Sequence, residues 1–374
     1  MKSQIINHLK NFGGWKTDRK ILCFAVDDYG NVMLNSKKSL EILKSKGFSS
    51  KSRFENLDAL ETTEDYEMLF EVLSGKCDKN NRNVVFTTYA LPANINFEKV
   101  LEEQKMYEYE LLPETYLKLS SEDKNYEGTY EVMKEGIEND LIKPQFHGRE
   151  HLNVELFDDL LGQKNPFFIE NLKQRSYVGI PKNPQKPTVR YTRAFAFWNE
   201  NETHTHLDII KDGLRCFEEV YGYQSITFTP PALQIHPKLL SELSSTEIKS
   251  VDVPRNAAQH LGLGKYKKKK YKTQLEKDDN LVNIVRNCVF EPNSNKNINW
   301  VDYKCKQVEA AFRLKKPAII SSHRVNFCGK IDTENRKDGL KILNQLMDKI
   351  LMKFPEVEFL SVDELAEEII RTSY

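Results

Sequence analysis

Short apolar runs rich in β-branched and aromatic residues recur along the chain. Between several of them lie stretches with apolar residues every three or four positions. The short runs predict strands and the longer periodic stretches predict amphipathic helices. Strands are expected at 21–26, 83–88, 144–147, 225–229, 282–290, 317–322 and 358–361. Helices are expected at 36–46, 63–74, 96–106, 203–220, 302–314, 333–353 and 363–371. The helix from Thr203 has a capping residue, an apolar stripe through Leu207, Ile210, Leu214 and Phe217, and a stop near Gly222. Strands alternating with helices in this way imply an α/β fold with a parallel sheet, open or closed into a barrel. No repeat and no obvious linker divides the chain. Residues 1–374 are therefore expected to form a single domain, with an insertion at about 50–140. An irregular zone at about 254–280 holds Lys265-Tyr266-Lys267-Lys268-Lys269-Lys270-Tyr271-Lys272, expected as a solvated basic hairpin or loop.

Charge narrows the function classes. Lys+Arg and Asp+Glu both number 55, so the formal net charge is zero. That balance argues against global attraction to nucleic acid or to an anionic membrane, and leaves room for local patches. The six cysteines form no Cys-x-x-Cys pair, and Cys23, Cys216 and Cys288 sit within apolar stretches, so reduced thiols are expected rather than a disulfide framework. The first twenty residues contain no secretory apolar block, and no run approaches the roughly 20 apolar residues of a membrane helix. The expectation is a cytoplasmic protein without a transmembrane segment.

The chemistry concentrates in three places. Asp27 and Asp28 close the apolar run Ile21-Leu22-Cys23-Phe24-Ala25-Val26, before the turn-prone Tyr29-Gly30-Asn31. Neighbouring residues of a regular strand face opposite ways, so a shared site requires the chain to leave strand geometry there. His147 and His151 stand four apart in Gln145-Phe146-His147-Gly148-Arg149-Glu150-His151, where a helix, or a curl at the glycine, would bring both rings to one side. Two imidazoles and one carboxylate can hold a divalent metal with positions left open, and a second carboxylate can serve as base. Finally, Ile319-Ile320-Ser321-Ser322-His323-Arg324 would set an imidazole at the same rim, able to protonate a leaving group. His204 and His206, near Glu200 and Glu202, are expected on a solvated helix start, and Phe195, Phe197 and Trp198 in the core.

Together these segments resemble the carbohydrate deacetylases of the polysaccharide-deacetylase (NodB-like) superfamily. Asp27-Asp28-Tyr29-Gly30 is similar to that family's Thr-Phe-Asp-Asp-Gly motif, with one extra residue before glycine, and to the Asp-Asp-Phe-Gly of a chitooligosaccharide-deacetylase branch. His147-Gly148-Arg149-Glu150-His151 resembles His-Ser/Thr-x-x-His, with Gly148 replacing the hydroxyl residue. Ser321-Ser322-His323 approximates Leu-x-His. The resemblance implies an irregular (β/α) barrel of seven strands with insertions. It also implies removal of an acetyl group, N-linked in the first instance, from a carbohydrate such as a polysaccharide or glycan precursor. Asp28, His147 and His151 would bind the metal, zinc by default; Asp27 would act as base and His323 as acid. The family's middle motifs have no clear counterpart, although Arg286, Glu291 or Arg324 would be available to orient substrate and Thr229-Pro230-Pro231 resembles a rim loop. The competing readings are another metal-dependent hydrolase, a non-haem iron oxygenase, or a carbohydrate-binding barrel without activity.

Overall fold

The apolar run that ends in the two aspartates becomes the central strand. In a computed structural model, which describes residues 7–276 and 280–373, it extends over ten residues and nine of them are buried. Burial on both faces is what a near-continuous apolar run in a parallel sheet requires. In chain order the strands are β1 (Lys20–Tyr29), β2 (Phe86–Ala90), β3 (Ala93–Ile95), β4 (Tyr109–Leu111), β5 (Gln145–Phe146), β6 (Thr227–Phe228), β7 (Ser250–Asp252), β8 (Asn256–His260), β9 (Tyr266–Lys270), β10 (Gln274–Glu276), β11 (Leu281–Ile284), β12 (Cys288–Val289), β13 (Ala318–His323) and β14 (Val357–Phe359).

The main sheet runs β10-β11-β7-β6-β5-β2-β1-β13-β12, with β14 beside the start of β1. Every pairing in it is parallel except β10 with β11. The two ends of its parallel part, β11 and β12, belong to one stretch of chain. Residues 282–284 pair with β7, and residues 288–289 pair with β13. The sheet therefore curls until these two strands are separated by only three residues in sequence, as an irregular (β/α) barrel. The expected strand at 282–290 is broken at 285–287, where Arg286 turns inward.

Helices cover the outside. Thr63–Ser74 opens on a capping box between Thr62 and Asp65, and Trp300–Arg313 opens on Asn299. The long helix Thr333–Lys353 packs against Trp300–Arg313. The stretch at 50–140 contributes β2 to the barrel itself, while the antiparallel pair β3–β4 lies off it. The basic zone forms the antiparallel hairpin β8–β9, and its residues 277–279 lie outside the described residues. All six cysteines are free, and no helix among the described residues is long and apolar enough to cross a membrane.

Candidate metal centre

β1 delivers both aspartates to one mouth of the barrel by breaking its own pleat. Asp27 is still in register with His323 of β13, but the pairing with β2 slips between Val26 and Tyr29. At that slip Asp28 adopts φ +77°, a left-handed conformation that Asp tolerates better than most side chains. Two neighbouring carboxylates thereby line one cavity of about 350 Å³, together with His147, His151, Arg286 and His323.

The two histidines lie on an extended loop after β5 rather than on a helix. Gly148 makes the curl, at φ +117°, and the ring centroids come within 5.0 Å. His147 Nδ1 donates to the carbonyl of Thr229 at 2.6 Å, which fixes its tautomer and leaves Nε2 bare. That Nε2 is buried without a hydrogen-bond partner, 3.4 Å from Asp28 Oδ1. His151 Nε2 lies 3.3 Å from the same oxygen. Burial pushes His151 down to about 4, so its ring is neutral. Burial opposes ionisation of Asp28, but the adjoining imidazole of His147 and those of His151 and His323 outweigh it and hold the carboxyl below the usual range. One ligand atom from each of Asp28, His147 and His151 falls within 4.8 Å of the others, the only such group among the described residues. Buried acceptors converging on one point are costly unless a cation lies between them. The donor set, two imidazoles and a carboxylate, suits zinc or another first-row divalent ion.

Asp27 faces the same cavity under different restraint. Arg286 Nη1 and Nη2 donate to its two oxygens at 2.6 and 2.7 Å, a bidentate clamp. Arg286 also donates through Nε to Asp252 at 2.5 Å and through Nη2 to Thr229 Oγ1 at 3.1 Å. Its charge is thus divided between two carboxylates, and their field keeps the buried guanidinium protonated against the cost of burial.

His323 stands opposite, with Nε2 3.8 Å from Asp27 Oδ2 and its side chain 30% exposed to the cavity. Its Nδ1 donates to Glu291 Oε1 at 2.5 Å. Burial would lower its pKa, but the bond to Glu291 and the charges of Glu291, Asp28 and Asp27 raise it to about 9. The ring is therefore an imidazolium at neutral pH. Glu291 is held in turn by Arg53 and by Asn326 Nδ2 at 2.9 Å.

Arg324 does not face the cavity, contrary to expectation. It follows β13 on the opposite side from His323, is 1% exposed, and donates to Asp58 at 2.8 and 3.0 Å, Glu61 at 3.0 Å and the carbonyl of Asn31 at 2.8 Å. Two buried carboxylates claim it. Nor is His206 solvated: it is buried against Phe195, inside the start of helix His204–Tyr221. Phe195 and Phe197 are core residues. Sequence reasoning missed Arg53, Asn326 and Asp252, and it noticed Thr229 only as part of a rim loop. None of the three carried a local signal: Asp252 ends β7, a strand of three residues without an apolar run.

No model of a known protein family matches the chain, and no curated protein matches it significantly. Among solved structures, the chain is similar to a probable polysaccharide deacetylase from Pseudomonas aeruginosa PAO1, at 9% identity and TM-score 0.46, covering 95% of this chain and 92% of that one. It is also similar to Puue allantoinase, at 10% identity and TM-score 0.43, covering 96% and 93%. Likenesses this distant leave the chemistry to be argued from the residues of the site.

Proposed function

We propose that this chain is a metal-dependent hydrolase that removes acetyl groups from an acetylated carbohydrate. The observation that carries the reading is the buried, unpartnered Nε2 of His147, turned toward Asp28 and His151 in a cavity that also holds a clamped carboxylate and an imidazolium. The motifs resembling the NodB-like deacetylases lie at these same positions.

Asp28, His147 and His151 would hold the metal, which supplies a bound water of lowered pKa and polarises the acetyl carbonyl. Asp27, oriented by Arg286, is the base that accepts the water proton; each of its oxygens keeps a free lone pair while accepting from the guanidinium. His323 enters the reaction already protonated and gives its Nε2 proton to the leaving atom. An amine cannot leave as its anion, so a firmly protonated donor favours an N-acetyl substrate. Glu291, backed by Arg53 and Asn326, keeps that proton available and aims the ring.

The test is release of acetate from N-acetylated chito-oligosaccharides. The parent is expected to release it, and Asp27→Asn to lose roughly 10²- to 10⁴-fold in kcat while retaining metal. Near-parental turnover by Asp27→Asn would remove Asp27 from the role of base. Absence of acetate release across N- and O-acetylated sugars would refute the deacetylase reading.

A further inference from the structure

The hairpin β8–β9 is unlike the rest of the surface. Between Asp252 and Glu276 the chain carries Arg255, Lys265, Lys267, Lys268, Lys269, Lys270 and Lys272 and no acidic residue, in a molecule whose formal net charge is zero. Among the described residues none of the six lysines forms an ion pair. β9 is exposed at all five positions and pairs only with β8, while Ala257 and Tyr271 seat the base of the hairpin on the core. Its tip is apolar: Leu261 and Leu263 are 41% and 57% exposed, and Tyr266 just behind them is 51% exposed.

Lysines on a free strand edge guard against strand-to-strand aggregation. That accounts for the charge and not for the leucines. A solvated turn favours Gly, Asn or Asp, yet Leu263 sits at φ +50°, a region that penalises its side chain. The turn is also firmly built. Leu263 N–H donates to the carbonyl of Trp198 at 2.7 Å, Leu261 N–H to that of Lys265 at 2.9 Å, and Gly264 N–H to His260 Nε2 at 3.1 Å. Two leucines are thus held outward at the end of a basic, acid-free projection, with an aromatic ring at the boundary.

We propose that this hairpin docks the protein on an anionic lipid bilayer, its leucine tip entering the interface while its lysines meet the headgroups. Each part answers one feature of that surface: lysines its negative potential, tyrosine the headgroup layer, leucines the acyl boundary. A nucleic acid or polyanionic glycan would answer the lysines and leave the leucines in water. Val253, Pro254 and Arg255, which lead into β8, line the metal-centre cavity, so docking would place that cavity beside the membrane surface. The proposal does not depend on the reaction assigned to the cavity.

The test is flotation of the full chain with vesicles of phosphatidylcholine alone or mixed with phosphatidylglycerol, at low and raised salt. The parent is expected to float with the mixed vesicles and not with phosphatidylcholine alone. Replacing Lys267, Lys268, Lys269 and Lys270 by Gln should weaken binding about fivefold per lysine. The pair Leu261→Ser and Leu263→Asn should weaken it roughly tenfold or more, with an unchanged thermal midpoint, since Asn accepts positive φ. In a separate Leu263→Trp protein, brominated acyl chains should quench the new fluorescence. Failure to float, undiminished binding by the leucine pair, or absence of that quenching would each overturn the proposal. Binding of heparin or an oligonucleotide without vesicle binding would overturn it in favour of a polyanionic partner.

Discussion

At the scale of single residues, the mouth of the barrel separates two kinds of ionisable group by their surroundings. Burial lowers the proton affinity of His151 even though the Asp28 carboxylate lies beside it, whereas His323, buried beside Glu291, Asp28 and Asp27, gains proton affinity, to about 9. Because its pKa is raised above the ordinary value near 6.5, the stability contributed by the His323 imidazolium is complete below about pH 6.5. It is lost as pH rises through about 9. Activity should fall over the same alkaline limb if His323 is the acid. Glu291→Gln removes the leading raising influence, and the alkaline limb of the pH–rate profile should move down by roughly one to two units. An unmoved limb would show that Glu291 does not set the proton on His323. Asp27, Asp28, His147, His151 and His323 were legible in sequence because each ends an apolar strand or follows one closely. Arg286 could be named but not placed, because nothing local says that its strand breaks and closes the barrel. Arg53 and Asn326 act on Glu291 from 238 and 35 residues away in sequence, a relation no spacing rule reaches.

At the scale of elements, the histidine loop is positioned by its neighbours more than by its own hydrogen bonds. Helix His204–Tyr221 passes so close to it that a Cβ on Gly213 would lie 2.8 Å from both Phe146 Cζ and Arg149 Cβ, and 3.0 Å from Arg149 N. Those atoms flank His147. Gly213→Ala should therefore cost about 1–3 kcal/mol by overpacking, despite the higher helix propensity of alanine, and should weaken metal binding as the loop shifts. A calorimetric midpoint together with a metal titration checks both; a stabilised variant with parental affinity would contradict this account of the loop. The long helices were legible from period and caps, and Thr333–Lys353 falls where the pattern placed it. β7 was not, because three residues carry no readable alternation. The basic zone around β8 and β9 read as irregular because β9 is exposed at every position and β8 buries only Ala257, too little to impose a pattern.

At the scale of the whole molecule, the barrel joins strands distant in sequence, and buried charge ties them. Arg324, just past β13, reaches Asp58, Glu61 and the turn after β1. Arg324→Met would leave two buried carboxylates without their cation, at a cost of about 3–5 kcal/mol. The urea midpoint should fall accordingly, while an unchanged midpoint would show that the network is not a structural tie. The barrel class was legible in the alternation of strands and helices, whereas its closure through residues 281–289 was not. One site, the cluster of Asp28, His147 and His151, governs the proposed chemistry of the molecule. Its most direct test is the metal content of the purified protein beside that of His147→Ala, each measured as isolated and after loading with zinc. Near-stoichiometric divalent metal in the parent and its loss in the variant are expected. Absence of metal from the parent even after loading would contradict the account.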